Sequence, residues 1–341
     1  MEHPVLHPEL VTCPHCQATS RIGIHSQAER RFICHGCKRT FTENKGTPLH
    51  DLKYPIWGVV LVLTLLAHGC PSAAIVAAFL LDARTVRAWQ RQAGTHAEQI
   101  QAAVVCNGGL ELGQVQADEL CVNTQHGKVW MATAMSVFAR LFLWGEVAQH
   151  RDTALIDKVF DHVRRAANGI QPILVAVDGF AAYPKLIRKH FSTVIRSGRP
   201  GRPPRVPWAD LHIVQVVKQH SGRILTGIER RVIHGCRQRA DELLALSQCG
   251  LGRINTAFIE RLNATFRARL PALARCTRNL TQGCSRLRCE MFWSGAVYNF
   301  CTVHGSLGAT PTMAADLTDH VWSVRELLLF KPPAQQLHVV G

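Results

Sequence analysis

The segment "PILVAVDGF", Pro172 to Phe180, decides the fold. It is apolar without alternation until Asp178, which reads as a strand buried on both faces and ending in an acid. Working outward, "DTALIDKVFDHVRRAANG" (152–169) precedes it as a helix. Asp152 is its cap, Leu155, Ile156, Val159, Phe160 and Val163 form its apolar stripe, and Asn168-Gly169 stops it. Before the helix come "GQVQADELCVN" (113–123), "KVWMATAMSV" (128–137) and "RLFLWGEV" (140–147), three strands joined by short turns. Three antiparallel strands, a helix, then a buried strand is the RNase H-like order, in which the crossover helix returns the fourth strand beside the first.

That order gives meaning to a later segment, "INTAFIERLNATFRARL" (254–270). On a helix Glu260, Asn263 and Arg267 are spaced i, i+3 and i+7 and share a stripe. Taken alone, the stripe reads as a solvated face with an ion pair. Beside the strands it reads differently. Asp118 on the first strand and Asp178 at the end of the fourth can sit side by side, and Glu260 can complete an acidic cluster. Two divalent cations roughly 3.5–4 Å apart need such carboxylates for phosphodiester chemistry. Hard oxygen ligands suit Mg²⁺ or Mn²⁺, two per active site. Asn263 and Arg267 would then touch the DNA backbone near the scissile phosphate.

The composition agrees with a polyanionic partner. The chain has 341 residues, a formal net charge of +15 and a pI near 9.6, so DNA or RNA is the default ligand. The start "MEHPVLHPEL" lacks the basic and apolar regions of a signal peptide. The most apolar run, "IWGVVLVLTLLAH" (56–68), is too short to span a bilayer, so no membrane partner is expected. The odd count of 13 cysteines argues against a disulfide framework and for reduced thiols in a cytosolic protein.

Four of the cysteines are paired in sequence. "CPHC" holds Cys13 and Cys16, "CHGC" holds Cys34 and Cys37, and the 17 residues from Gln17 to Ile33 separate them. This spacing matches a tetrahedral Cys₄ site for one structural Zn²⁺, with "RIGIHSQAERRFI" (21–33) as a β-hairpin between the knuckles. After Pro55, a helical run, a "HGCPS" break, "SAAIVAAFL" capped by Ser72, and "ARTVRAWQRQA" capped by Asp82 read as a helix-turn-helix. In its last helix Val86, Trp89 and Ala93 share a packing face, and Arg84, Arg87 and Arg91 share a face for DNA.

At these residues the chain resembles a bacterial insertion-sequence transposase of the DDE type. The resemblance is carried by "ADEL", "VDGFAAYPKLI", "FIERLNATFRARL" and "YNFCTVHGSLGATP", the last with Tyr298, Asn299, His304, Leu307, Gly308 and Pro311. With the cysteine and helical modules in front, it covers roughly residues 10 to 320. It implies that Asp118, Asp178 and Glu260 are the catalytic acids, with Glu119 facing away from them as its strand neighbour. It further implies binding of double-stranded DNA at terminal inverted repeats, cleavage, and joining of 3′ ends to target DNA. A homodimer or larger assembly in the bacterial cytoplasm, at the nucleoid, goes with that activity. A nuclease of the same fold, or a DNA-binding regulator with an inactive core, are the rival expectations.

The fold expected is therefore α/β: a zinc ribbon (1–52), a helix-turn-helix (53–105), an RNase H-like domain of a mixed sheet flanked by helices (106–310), and a C-terminal helical tail (311–341). Two pieces are expected as an insertion at about 196–235. "IRSGRPGRPPRVPW" (195–208), with Arg199, Arg202 and Arg205, is either an arm resembling an AT-hook or a solvated Pro-rich linker. "LHIVQVV" and "RILTGIERRVI" then form a hairpin.

Overall fold

The computed structural model describes residues 6–196, 203–222, 224–247, 253–274, 280–281 and 283–332. The N-terminal module is a three-stranded antiparallel sheet of β1 (Ile22–Ser26), β2 (Arg31–Cys34) and β3 (Thr40–Thr42). It has its own small core of Leu6, Cys13, Phe32, Cys34 and Phe41.

Three helices follow: α1 (Ile56–Ala67), α2 (Ser72–Phe79) and α3 (Ala83–Ile100). Asp82 caps α3, its Oδ1 accepting from Arg84 N at 2.6 Å. Ser72, expected as a cap, is instead the first residue of α2, and Pro71 holds the cap position without a side-chain bond. Ser72 is thus one position past the place from which a hydroxyl caps the first turn.

The main sheet contains β4 (Gly113–Thr124), β5 (Gly127–Ser136), β6 (Leu141–Ala148), β7 (Ile173–Asp178), β10 (Leu211–Ser221) and β11 (Ile224–His234), in the order β11-β10-β7-β4-β5-β6. β8 (Ser192–Val194) and β9 (Arg205–Pro207) make a separate two-stranded ribbon that joins the two ends of the Arg-Pro segment. β4, β5 and β6 form the expected meander, and α4 (Thr153–Ala166), capped by Asp152 onto Leu155 N, carries the chain over to β7. β7 pairs in parallel with β4, which puts Gln116 opposite Ala176. β10 pairs in parallel with β7. The 211–234 hairpin is thus part of the central sheet and not an insertion. The cause is visible in its first strand, where Ile213, Val214 and Val216 are all buried: such a strand needs cover on both faces.

Alternation divides the sheet. Leu174, Ala176, Val214 and Val216 pack beneath Ala240, Leu243 and Leu244 of α6 (Arg237–Ser247). Their neighbours Ile173, Val175 and Val177 join the main core with Leu155, Val159 and Phe160 of α4 and with Leu186 and Ile187 of α5 (Ala182–His190). α7 (Ala257–Arg269) crosses β4 and β5, and α8 (Cys284–Ala296) lies on β6 and along α3. α9 (Pro311–Ala314) and α10 (Val324–Leu329) close the described chain, with Leu327 and Leu328 fully buried.

The main apolar cluster runs without interruption from Leu49 to Leu328. Trp293 Nε1 donates to Leu63 O at 2.8 Å, and buried Gln101 donates to Phe142 O and Leu143 O at 2.6 and 3.0 Å. Packing therefore does not break near residue 105, and residues 311–332 are built into the core instead of trailing from it. No helix among the described residues is long and apolar enough to cross a membrane.

Candidate functional site: a carboxylate cleft

Asp118 and Asp178 belong to the same face of neighbouring parallel strands, two residues beyond the Gln116–Ala176 pair. Each offers an oxygen within 4.8 Å of the other, and Glu119 offers a third within the same limit. This corrects the expectation for Glu119. Its Cβ does start on the opposite face, but β4 runs on past the end of β7, and the longer side chain reaches the site around that end. Glu260, on the first turn of α7, borders the same cleft of about 480 Å³, together with Arg151, Gly179, Lys218 and Thr256. It stands outside the tight trio.

Two cations hold these acids. Arg151 donates to Asp178 Oδ2 at 2.7 Å and to Glu119 Oε2 at 3.1 Å, while its guanidinium lies 4.3 Å from the centre of the Phe180 ring. Lys218 donates to Glu260 Oε1 at 2.6 Å, an oxygen that also accepts from Thr256 Oγ1 at 3.1 Å. Neither cation stood out in the sequence, because their partners lie 27 to 42 residues away.

Burial raises the Asp118 carboxyl to about 6, against the backbone N–H of Glu119 that lowers it; the charges of Asp178 and Glu260 raise it further. Burial likewise takes Glu119 up to about 7, against the Arg151 hydrogen bond and with the Asp178 charge. Carboxylates crowded in this way resist ionising together unless cations join them. Hard oxygens converging on one point therefore fit a divalent cation of the Mg²⁺ or Mn²⁺ kind.

Asn263 does not face outward as expected. It is buried, donating from Nδ2 to Asp118 Oδ2 at 2.8 Å and accepting from Thr133 Oγ1 at 3.1 Å. Its place one turn after Glu260 puts it under the helix, on the strand. Arg267, by contrast, is exposed at the far end of α7, on the side that Glu260 also presents. Gln116 was also missed. Its signal was a polar residue at the inward-facing position of a buried strand, two before Asp118.

In the N-terminal module Cys13, Cys16, Cys34 and Cys37 bring their sulfurs within 4.8 Å of one another. The Cys34 thiol is drawn down to about 7, chiefly by the backbone of Cys37. Cys16 is driven up to about 12: the backbone of Ala18 lowers it, but burial and the shared protons of the other three thiols outweigh that. Four sulfurs in mutual contact with one favoured thiolate fit a soft, tetrahedral ion such as Zn²⁺.

Arg84, Arg87 and Arg91 are exposed along α3, and none pairs with a carboxylate among the described residues. With Cys284, Arg286 and Glu290 of α8 they line a groove of about 510 Å³. Arg205 is exposed on β9 and donates to Lys189 O at 2.9 Å. Arg199 and Arg202 lie outside the described residues.

Neither a protein-family model nor a curated protein matches this sequence. Among solved structures, the chain is similar to a piggyBac transposase in a synaptic complex with hairpin DNA, at 8% identity over 80% of this chain and 69% of that chain, with a TM-score of 0.37. Similarity at that level gives no residue correspondence.

Proposed function

We propose that the chain is a DNA transposase of the DDE type, cutting and joining phosphodiester bonds at the cleft of Asp118, Asp178 and Glu260. One observation carries the reading: an aspartate within β4 and the aspartate that ends the parallel neighbour β7, on one face of the sheet and faced by a helical glutamate, in a chain with a net charge of +15. The strand order, with antiparallel β4–β6 followed by parallel β7 and β10, is that of an RNase H-like domain and supports it.

Asp118, Asp178 and Glu119 would hold one cation, and Glu260 with Asp118 a second. When bound, such cations supply activation of a water or 3′-hydroxyl and neutralise charge at the leaving oxygen. The chain's own residues do the rest. Arg151 orients Asp178 and Glu119, and Lys218 holds Glu260 at the rim. Arg267 and Arg261, exposed on α7, would meet the DNA backbone, while α3 with Arg84, Arg87 and Arg91, as the last helix of a helix-turn-helix, would bind the ends of the element. The four cysteines would hold one structural zinc.

The test is a strand-transfer assay with DNA that flanks the gene. Asp118→Asn, Asp178→Asn and Glu260→Gln should each abolish cleavage and joining and leave DNA binding intact, because each removes a charge but little volume. Cleavage without joining would identify a nuclease of this fold, and DNA binding with neither would identify a regulator. Binding should weaken steeply with salt through counterion release.

A further inference from the structure

The cleft depends on a separation that no covalent connection fixes. Asp118 is on β4 and Glu260 on α7, and the apolar contacts of Phe258, Ile259, Leu262 and Phe266 that dock α7 are non-directional. Burial alone would allow the helix to slide. Two buried amides supply the missing direction.

Gln116 is fully buried in β4. Thr256, at the cap position of α7, makes no side-chain cap bond. In its place Gln116 Oε1 accepts from Phe258 N at 3.1 Å and Ile259 N at 3.0 Å, and Gln116 Nε2 donates to Asn255 O at 2.8 Å. A strand residue thus caps a helix some 140 residues away. Burying an amide is costly unless its hydrogen bonds are made, and these go to the start of this one helix. Two residues further along the same face of β4 the contact is returned. Asn263 of α7, with its own oxygen fixed by Thr133 of β5, donates to Asp118. Strand holds helix at residue 116, helix holds strand at residue 118, and Glu260 lies between Gln116's anchor and Asn263.

We infer that Gln116 and Asn263 are positioning residues that set the separation of Asp118 and Glu260, and with it the ability of those carboxylates to share a divalent cation. The inference rests on the reading of the cleft as a cation-dependent active site.

The full-length protein is titrated with Mn²⁺, and the free ion is followed by electron paramagnetic resonance. Melting curves and strand-transfer kinetics are recorded on the same samples. Gln116→Met keeps volume and loses the three hydrogen bonds. It should weaken Mn²⁺ binding roughly 10- to 100-fold, the usual cost of losing a residue that orients metal ligands, and lower kcat with little change in KM for DNA. Gln116→Glu keeps an acceptor at the helix start and should recover most of the affinity. Gln101→Met is the matched control: it also deletes a fully buried amide bonded to backbone, but at the junction of the helices with β6. It should lower the melting temperature and leave Mn²⁺ affinity as in wild type. If Gln116→Met melts below the assay temperature, Asn263→Ala carries the same expectation. Equal Mn²⁺ affinity in Gln116→Met, or Asn263→Ala in its place, and Gln101→Met overturns the inference. If Glu260→Gln still weakens binding in that case, the active-site reading survives alone. Wild type that takes up no Mn²⁺, or Glu260→Gln that binds as wild type does, defeats both.

Discussion

Gly94 of α3 and Cys289 of α8 meet backbone to backbone. A Cβ at position 94 would lie 2.4 Å from the Cys289 carbonyl oxygen and 2.6 Å from its Cα. Neither atom can turn aside as a side-chain tip could, so the helices pack this closely only because residue 94 is glycine. The helix carrying Arg84, Arg87 and Arg91 is thereby fixed to the helix lying on β6. A network of Arg288 with Glu98 and Glu146 reinforces the contact.

Gly94→Ala should therefore push α3 off α8. A cost of about 1–3 kcal/mol is expected for overpacking of this kind, read as a lower midpoint in chemical denaturation. For the same reason a fragment ending near residue 105 should not fold alone, although the sequence reads as a separable DNA-binding unit up to there. It would leave Gly94, Glu98 and the buried amide of Gln101 without their partners Cys289, Arg288 and the β6 carbonyls. Limited proteolysis of the fragment tests this directly; a resistant, DNA-binding product would show that the module is autonomous.

Arg151→Ala should separate the roles of charge and metal. Glu119 has no exposed side-chain surface and is already raised to about 7, so without Arg151 it keeps a proton at neutral pH and loses the hydrogen bond that Arg151 gives it. Arg151 is itself partly exposed, so a loss of about 2 kcal/mol is expected, below the full cost of breaking a deeply buried pair. Added Mg²⁺ or Mn²⁺ should restore part of it, giving the variant a larger metal-induced rise in melting temperature than wild type. An equal or smaller rise would place Glu119 and Asp178 outside the cation site. Glu119→Gln in the Arg151→Ala background should remove the excess response.

Much of this arrangement was legible in the sequence, and the part that was not has a common cause. Strands, the helix between them and the aspartate at the end of β7 follow from local periodicity and capping, as Asp82 and Asp152 show. The cysteine spacing is local too. What escaped are relations between distant residues: Gln116 with the start of α7, Lys218 with Glu260, and Gly94 with Cys289. Alternation along β4 gave the right face for Glu119 and the wrong conclusion, since it cannot show that β7 stops at Asp178 and leaves room for a side chain to pass. Hairpin connectivity likewise could not reveal that β10 pairs with β7.

The cysteine module should respond to metal removal by itself. Its core of Leu6, Cys13, Phe32, Cys34 and Phe41 is separate from the main cluster, and too small to hold three short strands without an ion. Metal analysis should find about one Zn²⁺ per chain. A strong chelator should abolish the protease resistance of residues 6–50 and leave the main melting transition in place. Cys13→Ser with Cys34→Ser should have the same effect. Full zinc retention in that double variant would exclude these sulfurs as the ligands.

Acid should weaken the fold partly through one histidine. His96 of α3 is 5% exposed, and burial lowers its pKa to about 4, with the backbone of Leu327 and Phe330 acting in the other direction. The unfolded chain takes up this proton near pH 6.5, the folded chain only near 4. His96 therefore contributes stability in full above about pH 6.5, loses it as pH falls from there toward 4, and changes nothing further below that. At pH 4.5 the loss should be roughly 2–3 kcal/mol relative to neutral pH, since each pH unit between the two values is worth about 1.4 kcal/mol. Asp118 and Glu119 act in the opposite sense, because their raised values let the folded chain bind protons first. The pH profile of wild type alone is therefore a mixture, and the informative quantity is its difference from His96→Gln. Urea unfolding of both proteins at pH 7, 5.5 and 4.5 should show the variant gaining on wild type as pH falls, by the amount given. A difference that stays constant across that range would mean that His96 takes up its proton in the folded chain as readily as in the unfolded one, and that α10 does not seal it from water.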